Sequence, residues 1–182
     1  MKIYRYNLDQ TQARYFANLP SGERMVIVVP LKKQPPEGFG EPICGRDEIL
    51  FQYIDEDCLE EDENIWIKLP YPIGARVGLQ ETWEWEFPHD HSVPSFLYKA
   101  DFPNGDDYNW RSAQCMPTAA IRYWGIVEEA RVDRLTKVTY TELMSAGCRE
   151  DERTEDWFNT RYAPKWTWEM NPYVEIFKMR ME

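Results

Sequence analysis

YPIGARVGLQETWEW, residues 71–85, is the stretch whose reading decides the fold. Pro72 and Gly74 place a turn at its start, because proline fixes φ and glycine accepts the positive φ of a tight turn. After the turn Val77, Leu79 and Glu81 alternate with Gly78, Gln80 and Thr82. That period of two predicts a half-buried strand. Glu81 falls on its apolar side, flanked by Trp83 and Trp85. A carboxylate there either pairs with a cation as structural glue or belongs to a ligand pocket.

Other elements follow on both sides of this stretch. Residues 2–6 predict a short first strand, and Asp9 an N-cap for a helix over about 10–17. MVIVV (25–29) is the most strand-like run in the chain. Its unbroken apolar character predicts burial on both faces, as in a central strand or a closed barrel. The Pro- and Gly-rich residues 32–42 read as an ordered loop, and residues 64–69 as a further strand.

Downstream, FLYKAD (96–101) predicts a strand and Asn104-Gly105 a turn. Residues 110–117 are irregular, and a long strand is expected over about 121–132. Thr139 predicts the cap of a helix over 140–146 that ends at Gly147. A second helix is expected over 152–160, with Trp157 and Phe158 at the core, and YVEIFKM (173–179) is the closing strand. Trp110, Trp166 and Trp168 are also assigned mainly to the core, together with Val26, Val28, Leu79, Ile126 and Ile176. Strands interrupted by short helices predict an α+β fold with its sheet rolled into a small barrel, one domain over 1–182.

The chain carries 32 acidic against 21 basic residues, a net charge of −11. A large nucleic-acid footprint needs clustered Lys and Arg, so it is excluded unless a local basic face hides within the total. Residues 43–63 form an acidic insertion, densest in DEDCLEEDE (55–63), read as a solvated hairpin or as a docking surface. Cys44, Cys58, Cys115 and Cys148 form no C-x-x-C pair and are expected as reduced, buried or half-buried thiols. His89 and His91 invite a metal-site reading with Asp90. Structural zinc draws three or four ligands at recurring spacings, so a polar loop and no metal is the expectation. With no membrane-length apolar run and no signal-peptide start, the expected location is cytoplasmic.

Several spaced motifs together carry a resemblance: the Gly22 turn, Lys33-Gln34-Pro35, Pro72-x-Gly74, Glu81-Thr82-Trp83 and Tyr98-x-Ala100-Asp101. They continue through Trp110, Met116-Pro117, Arg122, Arg131-x-x-Arg134-Leu135, Gly147 and Trp168-x-x-Asn171-Pro172-x-Val174. In order and spacing the series resembles the ASCH-domain proteins of phages and prophages, a branch of the PUA-like superfamily. The resemblance implies a PUA-like β-barrel with short flanking helices and a cleft for a nucleobase or similar small ligand, inside a bacterial host cell. Some relatives look like amidohydrolases that deacylate a modified cytidine, and others are linked to RNA.

That family chemistry uses Lys and Thr of a G-x-K-x-x-T motif and a helical Glu, with Thr as nucleophile. Here the motif reads Gly22-Glu23-Arg24-Met25-Val26-Ile27, and the helical Glu position falls on Ala146. Arginine stays protonated near neutral pH and isoleucine has no hydroxyl. The expectation is therefore a binding module without the family hydrolysis, taking a nucleoside-like ligand or short RNA through Arg24, Glu81, Trp83 and Arg122, with no cofactor. Two alternatives stand beside it. One is an enzyme acting on modified nucleosides or RNA, with a nucleophile relocated to Cys115, Ser112 or Tyr98. The other is an acidic protein that occupies a basic host surface by mimicking nucleic acid.

Overall fold

Ten strands and three α-helices form among the residues described by the computed structural model, which are 3–36, 39–45, 47–52, 64–86, 95–102, 104 and 108–182. The class is α+β. The largest sheet has the order β1-β6-β9-β10-β2, comprising Tyr4–Asn7, Arg76–Gln80, Tyr123–Arg134, Tyr173–Met181 and Arg24–Pro30. A three-stranded sheet orders β3 (Ile43–Cys44), β4 (Glu48–Phe51) and β5 (Ile65–Lys68). A hairpin joins β7 (Trp83–Glu86) and β8 (Ser95–Tyr98). Among the described residues these strand orders are open and close no barrel. The 55–63 run, Cys58, the two histidines and Gly105 lie outside the described residues.

By its internal contacts the chain divides into two units. The first is Met1–Glu23, Arg76–Ile126 and Arg180–Glu182. Here Asp9 caps α1 (Gln10–Phe16) with a reciprocal capping box, Asp9 accepting from the Gln12 N–H while the Gln12 side chain accepts from the Asp9 N–H. Strand β6 pairs in parallel with β1 and antiparallel with β9, and Gly74 supplies the turn before it at φ 85°. Residues 77–81 are all buried, so the expected half-buried alternation gives way to a strand covered on both faces. Gly78 shows why a side chain is excluded. A Cβ there would lie 2.8 Å from Ile121 Cδ1 and 3.1 Å from the Trp124 ring. Trp83, Met116, Ala120 and Ile121 form a local core, with Trp85 and Phe96 against it.

The second unit is Arg24–Ala75 and Val127–Met179. Thr139 and Glu142 form a second capping box at the start of α2 (Tyr140–Ser145), and Gly147 follows at φ 92°. Among the described residues β2 is an edge strand, where a central strand or a closed barrel was expected, yet Met25, Val26, Ile27 and Val28 are all buried. Val26 and Val28 pack with Leu143, Trp157 and Phe158 of α2 and α3 (Thr154–Tyr162). The Tyr162 hydroxyl donates to the Val28 carbonyl at 2.7 Å, so a side chain occupies an acceptor that an open edge leaves to solvent.

Trp157 is fully buried, whereas Trp110, Trp166, Trp168 and Ile126 are only half-buried. Cys148 is buried. Cys44 and Cys115 are exposed, which corrects the expectation for those two thiols; Cys44 lies on the short strand β3 and Cys115 ends a one-turn 3-10 segment at the surface.

Candidate functional site

Arg122 immediately precedes β9 and organises the polar residues of the first unit. Its Nε donates to Glu81 Oε1 at 2.8 Å and its Nη2 to Glu81 Oε2 at 2.9 Å. Toward the other side Nη1 donates to Asp101 Oδ2 at 2.7 Å and Nη2 to Asp101 Oδ1 at 2.9 Å. One guanidinium therefore grips two carboxylates, each through both oxygens, the strongest geometry open to arginine. The Tyr98 ring lies 3.9 Å and the Tyr123 ring 4.8 Å from its central carbon, which adds cation–π attraction.

Local structure explains the convergence. Glu81 sits just past the end of β6 with 1% of its surface exposed. FLYKAD forms strand only to Tyr98; residues 99–101 turn into a 3-10 segment that brings Asp101 to Arg122. The Tyr98 hydroxyl donates to the Ala120 carbonyl at 2.7 Å, anchoring that turn to the residues that lead into β9. Burial raises the Glu81 pKa. The hydrogen bonds and charge of Arg122 pull it back, and Asp101 adds a smaller upward push. Partial burial works against the Arg122 charge, but its bonds to Glu81 and Asp101 outweigh this and raise its pKa.

A cleft of about 550 Å³ opens in front of this cluster. The end of α1 contributes Arg14 and Asn18, the 3-10 turn contributes Asp101, and β9 with its lead-in contributes Arg122 and Tyr123. Glu81 supports Arg122 from behind. Trp83 is only 3% exposed, stacked edge-on against Trp85 and Phe96, and its indole Nε1 has no hydrogen-bond partner among the described residues. Arg24 belongs to the second unit, where its Nε pairs with Glu128 Oε2 at 2.9 Å. Of the four residues expected at the site, Arg122 lines the cleft, Glu81 and Trp83 are packed in the same unit, and Arg24 has a carboxylate partner of its own. Asp101 appeared in the motif series but not as a site residue; its adjacency to Tyr98 and Ala100 was the available signal.

Of the alternative nucleophiles, Cys115 is an exposed thiol, and Ser112 and Tyr98 each make a hydrogen bond. Ser112 caps a one-turn 3-10 segment by accepting from the Gln114 N–H at 3.3 Å. Burial raises the Tyr98 pKa, which disfavours a phenolate. Ile27, which the resemblance would align with the family nucleophile, is fully buried in β2. Among the described residues no group of three His, Cys, Asp or Glu is placed to hold a metal ion.

A second buried carboxylate escaped sequence reasoning. Glu142 of α2 takes Arg131 at 2.9 Å and Lys178 at 3.1 Å, and its Oε2 accepts from the Thr139 N–H at 3.0 Å. Burial acts to raise its pKa, but these donors outweigh it and hold the group at about 2. Every partner serves the helix cap or the sheet beneath it, so the cluster is structural.

In comparisons with known proteins, no family model, no curated protein and no solved structure matches this chain. Among the described residues no helix is long and apolar enough to cross a membrane.

Proposed function

We propose that the chain is a phage-type ASCH, PUA-like binding module that holds a nucleoside, or a base of a short RNA, in the cleft beside Arg122, without the family amidohydrolase reaction. On this reading the five-stranded sheet is the main wall of a PUA-like barrel. The observation that carries it is the Glu81–Arg122–Asp101 clasp, with the Tyr98 and Tyr123 rings against Arg122 and an open cleft lined by Asp101, Arg122 and Tyr123. Arg14 and Arg122 bring two positive charges, and Glu81 and Asp101 two negative ones. A balanced site of this kind favours an uncharged ligand with a polar edge over a polyanion. Asp101, whose side chain is 42% exposed, can accept from an exocyclic amino group while the base lies against Tyr123. Position 27 offers no nucleophile and Arg24 no general base.

The test is calorimetric titration with cytidine, acetylcytidine, adenosine and short RNAs, on the wild type and on Asp101→Asn. Binding of a nucleoside or RNA that weakens at least tenfold in the folded variant supports the reading. Absence of binding, or equal binding by both proteins, overturns it. Acetylcytidine incubated with the protein and followed by chromatography should remain intact. Turnover of about 1 per second or faster, ordinary for an enzyme, would mean that a nucleophile operates elsewhere.

A further inference from the structure

The second unit contains a cleft of about 360 Å³ whose chemistry differs from that of the first. Lys32 and Lys33 reach it from the residues that follow β2, and Lys68 from the end of β5. Among the described residues three lysines line one cleft of a chain whose net charge is −11. This is the local basic face that the total charge concealed. Trp66 of β5 lines the same cleft with 59% of its surface exposed, although a large aromatic side chain normally avoids water. Leu31, Ile67 and Pro70 supply apolar wall beside it.

Glu175, near the start of β10, also lines the cleft. It is half-buried, and among the described residues no donor is hydrogen-bonded to its carboxyl group. Burial raises its pKa to about 7, with the Lys32 charge acting weakly in the other direction. Of the three lysines that line the cleft, Lys32 is the one whose charge acts on Glu175. A half-buried carboxyl group without a hydrogen-bond donor is destabilising in the free protein, which marks it as a group awaiting a partner.

We propose that this cleft binds a mononucleotide, with its phosphate on Lys32, Lys33 and Lys68, its base against Trp66, and Glu175 on the polar edge of the base. Lysines suit the phosphate because they act as compact, mobile point charges, and an exposed indole provides a stacking face for any base. The cleft volume lies within the range of small-molecule sites. The inference does not rest on the nucleoside reading of the first cleft, because no lining residue is shared between the two.

The experiment titrates adenosine 5′-monophosphate, adenosine and inorganic phosphate by calorimetry into the wild type, the Lys32→Ala/Lys68→Ala double variant, Trp66→Ala and Asp101→Asn. The expected result is adenosine monophosphate bound at least tenfold more tightly than adenosine or phosphate. That binding should fall at least tenfold in both the lysine and the tryptophan variants and stay unchanged in Asp101→Asn. All substituted lysine and tryptophan positions are exposed, so circular dichroism and melting should show an intact fold. Between pH 6 and 8 the wild type should also lose affinity relative to Glu175→Gln, because ionisation of Glu175 adds a negative charge to the cleft that takes the anionic nucleotide. Using the ratio of the two proteins cancels the titration of the nucleotide itself. Adenosine monophosphate that fails to bind, or binds the lysine and tryptophan variants as it binds the wild type, overturns the proposal. So does binding lost in Asp101→Asn and retained in the lysine variant, which would assign the ligand to the first cleft.

Discussion

Arg122 meets Glu81 edge to edge, with Nε on one carboxylate oxygen at 2.8 Å and Nη2 on the other at 2.9 Å. Arg122→Ala leaves the buried carboxylate without its counter-charge. Breaking one side of a buried pair costs several kcal/mol, and the partial exposure of Arg122 brings the expectation here to about 3 kcal/mol. Arg122→Lys should not restore it, because one ammonium cannot fill both forks. Glu81→Gln should lower the melting temperature and leave nucleoside affinity of the folded protein unchanged. Melting and titration on the same variant check this; weakened binding at unchanged stability would move Glu81 into the ligand site.

Acid should weaken the second unit through Glu142. Its pKa is held at about 2 in the folded protein, below an ordinary value near 4.5. Its contribution is therefore complete above pH 4.5 and is lost as pH falls through 2. The size is on the order of 2–3 kcal/mol after allowing for solvent screening. Glu142→Gln should be less stable than the wild type at pH 7 and nearly equal to it at pH 2, as read from denaturant midpoints.

Glu175 should act with the opposite sign. A folded pKa of about 7 exceeds the ordinary carboxylate value, so its contribution is fully present below pH 4.5 and is lost as pH rises through 7. Glu175→Gln should therefore be more stable than the wild type at pH 8, by about 1–2 kcal/mol, with the gain shrinking toward pH 4. Thermal melts at both pH values test the sign. Equal pH dependence in the two proteins would remove Glu175 as the titrating group.

Gly78→Ala should destabilise the first unit by overpacking. The added Cβ meets Ile121 at 2.8 Å and the Trp124 ring at 3.1 Å, and forced shifts of this kind cost about 1–3 kcal/mol. Chemical denaturation measures it. A neutral result would mean that the Ile121 and Trp124 side chains move aside without cost.

The elements most legible in the sequence were those punctuated by local chemistry. Asp9, Thr139 and Gly147 marked helix ends because caps and positive-φ positions act over three or four residues. The strands expected over 25–29, 121–132 and 173–179 were visible from their apolar pattern and form over Arg24–Pro30, Tyr123–Arg134 and Tyr173–Met181. What escaped depends on partners distant in sequence. Burial of both faces of 77–81 comes from coverage that no local period encodes, and β2 is shielded by helices although it lies at a sheet edge. Glu81 and Arg122 were both expected at the site, as an ion pair or as ligand contacts, but Asp101 joins them only because 99–101 turns away from strand. Glu175 is the one carboxylate in YVEIFKM, a signal that was available in an otherwise apolar strand. Its association with Lys32, Lys68 and Trp66 depends on strands brought together from three parts of the chain.

Ile27 constrains what this chain can become. A threonine there would place a hydroxyl at a position with no exposed surface, and a buried hydroxyl without a partner costs about 1–3 kcal/mol. On the proposed family reading a nucleophile there would also need a neutral base in place of Arg24, which pairs with Glu128. The change at 27 lowers stability before the pair offers any chemistry, whereas the exposed Arg24 pair costs little to release. For a protein held just above its stability threshold, a mutational walk toward hydrolysis at this position runs uphill from its first step.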